Sequence, residues 1–438
     1  MKNPIRLCLV ITMLLITVLL SACEDSSHGS PEKKYDIHNS TIVYFDQDSV
    51  RYSNTGKGTD EKTVYELGSN GKTVAAYTAL AMVNEGILDP DREIISYLDP
   101  ELITDDERLK DITLRQLLCH TAGFSPSYEF GIDKNIYTDP GTAFCYSGVG
   151  YIYLQDVIKN AAGMTLEKAA TKYVFEPLGM KNSSFESADT IHPYMNAGTA
   201  ILYALVIFFL SFLVLSGIAI IIGKLSRSDT LKYSRSLPVC FLLAGMINIL
   251  SLLFLFSSNF SKVLIWFLIC FAVIGIVLFF TRKQTKLRCA VVPAMSVLFM
   301  LLGFAVPVTL PVCNTLIPQE ANCAYTFRST GEDMALFCNE LLKEAKEGDG
   351  AFADMFSPAV TIDEQNAWGL GIAIEYSGDS GTAYWHSGIN PGFQSLYVLY
   401  PDKNKYIVIL TNSDKGLNYS KEMARSFLGI DGIWDIKR

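Results

Sequence analysis

Ser69 and Lys72 stand three residues apart in Tyr65-Glu66-Leu67-Gly68-Ser69-Asn70-Gly71-Lys72, at the mouth of a helical pattern. Residues three apart on a helix share one face. The ammonium can then sit beside the hydroxyl and help lower its pKa, directly or through a second base. That is the chemistry of an activated nucleophile. Ser-x-x-Lys is weakly specific alone, and Ser30-Pro-Glu-Lys33 repeats it by chance in a polar linker. Context sets Ser69 apart. Glu66-Leu67-Gly68 precedes it, Tyr146-Ser147-Gly148 follows Pro140-Gly141, and His386-Ser387-Gly388 closes a strand pattern ahead of Asn390-Pro391-Gly392-Phe393.

The elements that must position these residues can be traced along the chain. Thr41–Phe45 and Val50–Tyr52 form two short strand patterns around an Asp-Gln-Asp-Ser turn. Thr73–Ile87 fits a mostly buried helix ended by Gly86. Ile112–Leu118 begins another, capped by Asp111 or Thr113. A further helix is expected over Tyr151–Ala161. Ser329 or Thr330 caps a helix running to about Ala345. Strands are expected at Trp368–Ile374, Thr382–Trp385, Gln394–Tyr400 and Tyr406–Thr411, with Pro401–Lys405 as a hairpin loop and Asn418–Leu428 as a closing helix.

At 438 residues the chain is too long for one ordinary domain, and with half its residues apolar and 18% charged it suggests a membrane portion. Residues 1–22 read as a secretory signal: Lys2 and Arg6, then an apolar run from Leu7 to Leu20. Leu20-Ser21-Ala22-Cys23 resembles a bacterial lipobox, with Cys23 lipidated; an uncleaved anchor helix is the other reading, and both export the segment that comes after. Residues 23–40 form the lipidated N-terminus and tether. Between 191 and 322, four runs at about 200–223, 237–257, 263–281 and 289–310 carry no charge and reach the ~20 residues needed to cross a bilayer. Basic residues concentrate in the first and third loops between them, which places both flanking segments outside the cell. The expected layout is thus two parts of one domain, 41–190 and 323–438, around four membrane helices. The expected localisation is the bacterial cell membrane, multi-pass, with the catalytic part on the extracytoplasmic face.

The formal net charge is -9; residues 191–312 hold nine Lys/Arg against one acidic residue, so the remainder carries -17. An acidic ectodomain argues against nucleic acid as a partner. The ten cysteines do not form a disulfide framework; Cys313 with Cys323 and Cys119 with Cys145 are conceivable pairs. No Cys/His spacing suggests zinc. A transporter is disfavoured because the four runs carry no ionisable residue.

Taken with Leu117-Leu118-Cys119-His120-Thr121-Ala122-Gly123, the three motifs resemble the serine β-lactamase and penicillin-binding-protein superfamily. The nearest look is to the class C-like branch with D-alanyl-D-alanine carboxypeptidases and some esterases. The resemblance covers Thr41 to Leu428 apart from the membrane block. It implies an α/β (α+β) β-lactamase/transpeptidase-like ectodomain, an antiparallel sheet plus a helical domain, here interrupted by a four-helix transmembrane segment. By resemblance Ser69 is the nucleophile, Lys72 helps deprotonate it, Tyr146 is partner base and proton shuttle, and His386 stands where many members carry lysine. The oxyanion would be held by the backbone N–H groups of Ser69 and Ile389. Ser147, Gly148, Ser387, Gly388 and Ile389 would face the substrate. Gly148 replaces the family's usual asparagine, and the usual N-terminal helix is reduced. His120 reads as structural.

These expectations describe an exported serine hydrolase that needs no cofactor or metal. It would act through an acyl-enzyme on D-alanyl peptides, β-lactams or related amides and esters, peptidoglycan stem peptides included. The alternative is a penicillin-binding or cell-wall sensor that is acylated slowly and signals through the membrane spans.

Overall fold

The computed structural model describes residues 30–126, 132–186, 190–191 and 321–436. Residues 30–36, with the short helix Pro31–Lys34, belong to one compact unit. All other described residues belong to a second, built from Ile37–Tyr194 and Ile317–Arg438.

The second unit is organised on an eight-stranded antiparallel sheet, ordered β2-β1-β10-β9-β8-β7-β6-β5. Its strands are β1 (Ser40–Asp46), β2 (Ser49–Thr55), β5 (Val360–Thr361), β6 (Asn366–Trp368), β7 (Ala373–Tyr376), β8 (Thr382–Asn390), β9 (Phe393–Tyr400) and β10 (Lys405–Thr411). A separate pair, β3 (Tyr65–Glu66) and β4 (Arg328–Ser329), joins the segment before Ser69 to the one that opens the second half. In β10, Tyr406 to Leu410 are wholly buried on both faces, as befits an inner strand made of apolar residues without alternation. The strand expected over Trp368–Ile374 is two strands, because Gly371 (φ +86°) turns the chain and donates its N–H to Leu118 O at 3.0 Å.

Seven helices serve the site: α1 (Gly71–Asn84), α2 (Leu114–Leu118), α3 (Gly148–Ala162), α4 (Leu166–Ala170), α5 (Gly331–Glu347), α6 (Gly350–Met355) and α7 (Gly416–Leu428). Helix α1 is buried along nearly all its length, packed on α3, α4 and α6. Thr113 caps α2 in a reciprocal box with Gln116, and Thr330 caps α5. Helix α5 turns Met334, Phe337, Cys338, Leu341 and Leu342 to β1 and β10 and exposes Lys343, Lys346 and Glu347, while α7 packs on β9 and β10. Cys119 and Cys145 are free thiols, so the pairing conceived for them does not form.

The membrane expectations need correction. Among the described residues no helix is long and apolar enough to cross a membrane. The longest, α5, has 17 residues and carries Glu332, Asp333, Lys343 and Lys346 among others. Among the described residues the fold class is therefore an α/β domain with an antiparallel sheet and no four-helix transmembrane segment, and the multi-pass membrane localisation is not supported. The four runs at 200–223, 237–257, 263–281 and 289–310 rest on hydropathy alone and lie outside the described residues, as do the signal segment 1–22 and Cys23.

Candidate active site

Ser69 lies in a single 3₁₀ turn, Gly68–Asn70, that runs directly into α1. Gly68 has φ +50°, and a Cβ there would stand 3.0 Å from the Ile389 amide nitrogen. A glycine lets the turn approach β8 this closely. The next pleat is tighter: a Cβ on Gly388 would overlap the carbonyl oxygen of Leu67. Ser395 Oγ locks the contact, donating to Leu67 O at 3.1 Å and accepting from Asn70 Nδ2 at 2.8 Å.

On the first turn of α1, Lys72 brings Nζ to 3.1 Å from Ser69 Oγ. It is 2% exposed. Its other acceptor is the main-chain carbonyl of Ala324, at 2.7 Å. The ring of Tyr146 lies 5.1 Å from Nζ and that of Tyr151 5.6 Å. A buried ammonium between aromatic faces and two oxygens is held without a carboxylate partner among these contacts. Such a cation polarises the serine hydroxyl more strongly than a solvated one could.

Tyr146 precedes the N-cap of α3. Ser147 Oγ accepts from Gly150 N at 2.9 Å and donates to Ser125 O at 2.6 Å, while Gly148 N donates to Pro126 O at 3.0 Å. The structure thus places Ser147 and Gly148 in the wall behind Tyr146, where they start the helix. His120 (φ +57°) accepts the Ser147 N–H at Nδ1, 3.1 Å away, and lays its ring 4.4 Å from that of Tyr146. Accepting at Nδ1 fixes the neutral tautomer with its proton on Nε2. Trp368 closes the other side, 5.7 Å from Tyr146 and 5.0 Å from His120.

His386 is on β8, its ring 6.1 Å from Tyr146 and 5.5 Å from Trp368. Its Nδ1–H donates to Ser387 O at 2.8 Å, since a carbonyl can only accept. Strand β8 pairs with β7 only through Trp385 but with β9 as far as Asn390. The edge from His386 to Asn390 therefore faces the Ser69 turn instead of another strand. Ile389, half exposed, brings its amide to this edge beside Gly68. Asn390 ties the edge down, donating from Nδ2 to Glu66 Oε2 at 2.8 Å and to Tyr325 O at 3.1 Å.

Between Tyr146, Trp368, Trp385, His386 and Ser387 lies a shallow, partly open cleft that Asp435 and Ile436 also line. The sequence did not point to Ala324, because a main-chain carbonyl has no side-chain signature. Nor did it point to Trp368, Asp435 or Ile436. Among the described residues no cluster of His, Cys, Asp and Glu could hold a metal ion.

A putative D-alanyl-D-alanine carboxypeptidase of Escherichia coli (strain K12) is 26% identical over 147 residues, 28% of this chain and 34% of that protein. Esterase EstB of Burkholderia gladioli is 26% identical over 179 residues, 34% of this chain and 45% of that protein. The chain thus matches less than half the length of these curated relatives. The penicillin binding protein from Bacillus halodurans shares the fold with a TM-score of 0.57 at 14% identity, covering 91% of this chain and 98% of that one. A D-stereospecific amidohydrolase from Streptomyces sp. does so with a TM-score of 0.55 at 17% identity, covering 90% and 94%. The sequence model described as Beta-lactamase matches residues 35–200 and 311–427. The first stretch carries the Ser69 turn and Tyr146, the second Ala324 and the His386 edge, and together they exceed half of the 438 residues, so this chain belongs to the beta-lactamase family.

Proposed function

We propose that the chain is a serine hydrolase that works through an acyl-enzyme on Ser69. The observation that carries this reading is the 3.1 Å contact of Lys72 Nζ with Ser69 Oγ, with Nζ itself held by Ala324 O. Ser69 Oγ attacks a carbonyl carbon while its proton passes to the oxygen of Tyr146, acting as base beside the Lys72 ammonium. The carbonyl oxygen takes the negative charge between the N–H groups of Ser69 and Ile389. The carbon–heteroatom bond breaks, and Tyr146 returns a proton to the leaving group. Water then attacks the acyl-enzyme by the reverse route. His386, in the cleft wall beside Tyr146, helps orient the substrate. The substrate class is an amide or ester with a D-amino acid next to the scissile bond, in keeping with what the carboxypeptidase and amidohydrolase relatives are named for.

Intact-mass measurement with a fluorescent penicillin and with an activated ester tests this. One adduct should form on the native chain and none on Ser69→Ala, while Ser30→Ala should label normally. An adduct that persists in Ser69→Ala overturns the assignment. The time course carries a second question. Gly148 supplies no side-chain amide to the substrate, which favours slow deacylation, so a long-lived adduct is expected.

A further inference from the structure

After α7 the chain turns at Gly429 (φ +67°) and returns as an extended strap, Gly429–Ile436, beyond residue 427 where the family match ends. The strap is firmly built. Both carboxylate oxygens of buried Glu375, on β7, accept successive main-chain N–H groups, Ile433 at 2.9 Å and Trp434 at 2.6 Å. Trp434 is 1% exposed. Arg425 Nε donates to Gly432 O at 2.9 Å, and Lys421 pairs with Asp435 at 2.7 Å. A carboxylate spent on main-chain donors fixes the direction of the backbone. The next two side chains, Asp435 and Ile436, consequently reach the cleft beside Tyr146 and His386.

We propose that this strap sets the specificity of the site, making the cleft a place for an uncharged apolar leaving group and turning away one that bears a carboxylate. The inference rests on the hydrolase reading above, in which Tyr146 returns the proton to the leaving group, so that the cleft beside Tyr146 is where that group departs. The lining is aromatic and aliphatic from Tyr146, Trp368, Trp385 and Ile436, and among the described residues its one charged side chain is the Asp435 carboxylate. No described lysine or arginine lines it; Lys421 meets Asp435 but is not part of the wall. An anion entering would lose water, meet no lysine or arginine in the wall and face the Asp435 carboxylate, whose charge Lys421 offsets only in part. An aryl or alkyl group would gain contact with the indole and phenol faces. The reaction at this site is thus ester or amide cleavage without a terminal carboxylate requirement.

The test uses the full chain and two esters of N-acetyl-D-alanine, one with 3-hydroxybenzoate as leaving group and one with methyl 3-hydroxybenzoate, so that only the free carboxylate differs. The native chain should show a kcat/KM about tenfold or more higher for the methyl ester. Asp435→Lys, at a side chain 63% exposed and therefore easily replaced, should narrow that preference by roughly threefold to tenfold. Asp431→Lys makes the same change of net charge at a side chain 99% exposed and outside the cleft lining, and should leave the preference as it was. Equal rates on the two esters, a preference for the carboxylate, or an Asp435→Lys ratio identical to the native one overturns the proposal. If Ser69-dependent hydrolysis of both esters persists in that case, the hydrolase reading stands and only the strap's role is lost. If neither ester is cleaved and Ser69 takes no adduct, the hydrolase reading fails and the proposal fails with it.

Discussion

Glu66 and Arg328 form an ion pair inside the domain: NH2 lies 3.3 Å from Oε1, with side chains only 4% and 6% exposed. The two belong to β3 and β4, so the pair clamps the segment before Ser69 to the segment that delivers Ala324. Asn390 donates to the other oxygen of Glu66, and Arg328 NH1 donates to Glu186 O and Thr326 O. Removing one partner strands the other in a low-dielectric interior. Arg328→Met should therefore destabilise the domain by about 3–5 kcal/mol, whereas Glu66→Gln with Arg328→Met together should recover much of that. Urea unfolding of the single and double variants reads this directly. A single variant as stable as the native chain would show that the pair is dispensable.

Lys72 is the second case. Methionine matches its stem and keeps the packing between Tyr146 and Tyr151, but takes away the group beside Ser69 Oγ. Acylation by an activated ester should slow about 10²- to 10⁴-fold in Lys72→Met, with the unfolding midpoint unchanged or raised. Rapid-quench mass spectrometry measures the rate. Acylation at the native rate would remove Lys72 from the chemistry.

Gly388 tests the seam between β8 and the Ser69 turn. Because a Cβ would overlap Leu67 O, Gly388→Ala must push the turn away from the strand. We expect a stability loss of about 1–3 kcal/mol, together with slower acylation, since Ser69 and the Ile389 amide move apart. Denaturant unfolding and adduct formation should change together. If both stay native, the turn does not rest on this strand.

Asp333 sets a pH dependence. Burial raises its pKa above the ordinary 3.8, partly offset by bonds from Ser183 and the Asn182 N–H. The folded chain then keeps this proton to higher pH than the unfolded chain. In the window above 3.8 the folded state binds the extra proton, so this group's contribution to stability falls as pH rises through the folded pKa. Asp333→Asn lacks that dependence. The stability of the native chain relative to Asp333→Asn should decline as pH rises from 3.8 through the folded pKa, as urea midpoints across a pH series would show. A constant difference would mean the carboxyl titrates alike in both states.

Much of this arrangement was legible in the sequence for a physical reason: local signals specify local elements. Thr41–Phe45 and Val50–Tyr52 lie within β1 and β2, and the helix expected from Thr73 is α1, because apolar pattern and turn residues act over a few positions. The Thr330 cap was one of two candidates, and hydrogen bonding to Asp333 N chose it. What stayed hidden is non-local. The clamp from Glu66 to Arg328 spans 262 residues, and the lysine's second acceptor is a carbonyl that any residue could supply. Ser147 reads as a substrate contact in motif terms, yet the structure gives it the duties of an N-cap. The strap from Gly429 has no periodicity to mark it. Hydropathy alone led to the membrane-spanning fold class, and that class did not survive.

The sheet order has a consequence for how the chain is made. Strand β1 lies between β2 and β10, with Ser40 opposite Thr411. At ordinary translation speeds the partner of β1 appears on the order of tens of seconds after β1 itself. Until then Ile42 and Val43 sit in a hairpin with an open edge, the kind of edge that pairs with strangers. The pairings that complete the sheet are among the most distant in sequence, so closing them is slow. Assembly of the nucleophile's surroundings is thus a late event, finished only when β10 docks, and a nascent chain stalled before Lys405 would carry Ser69 and Lys72 without the sheet that makes them an active site.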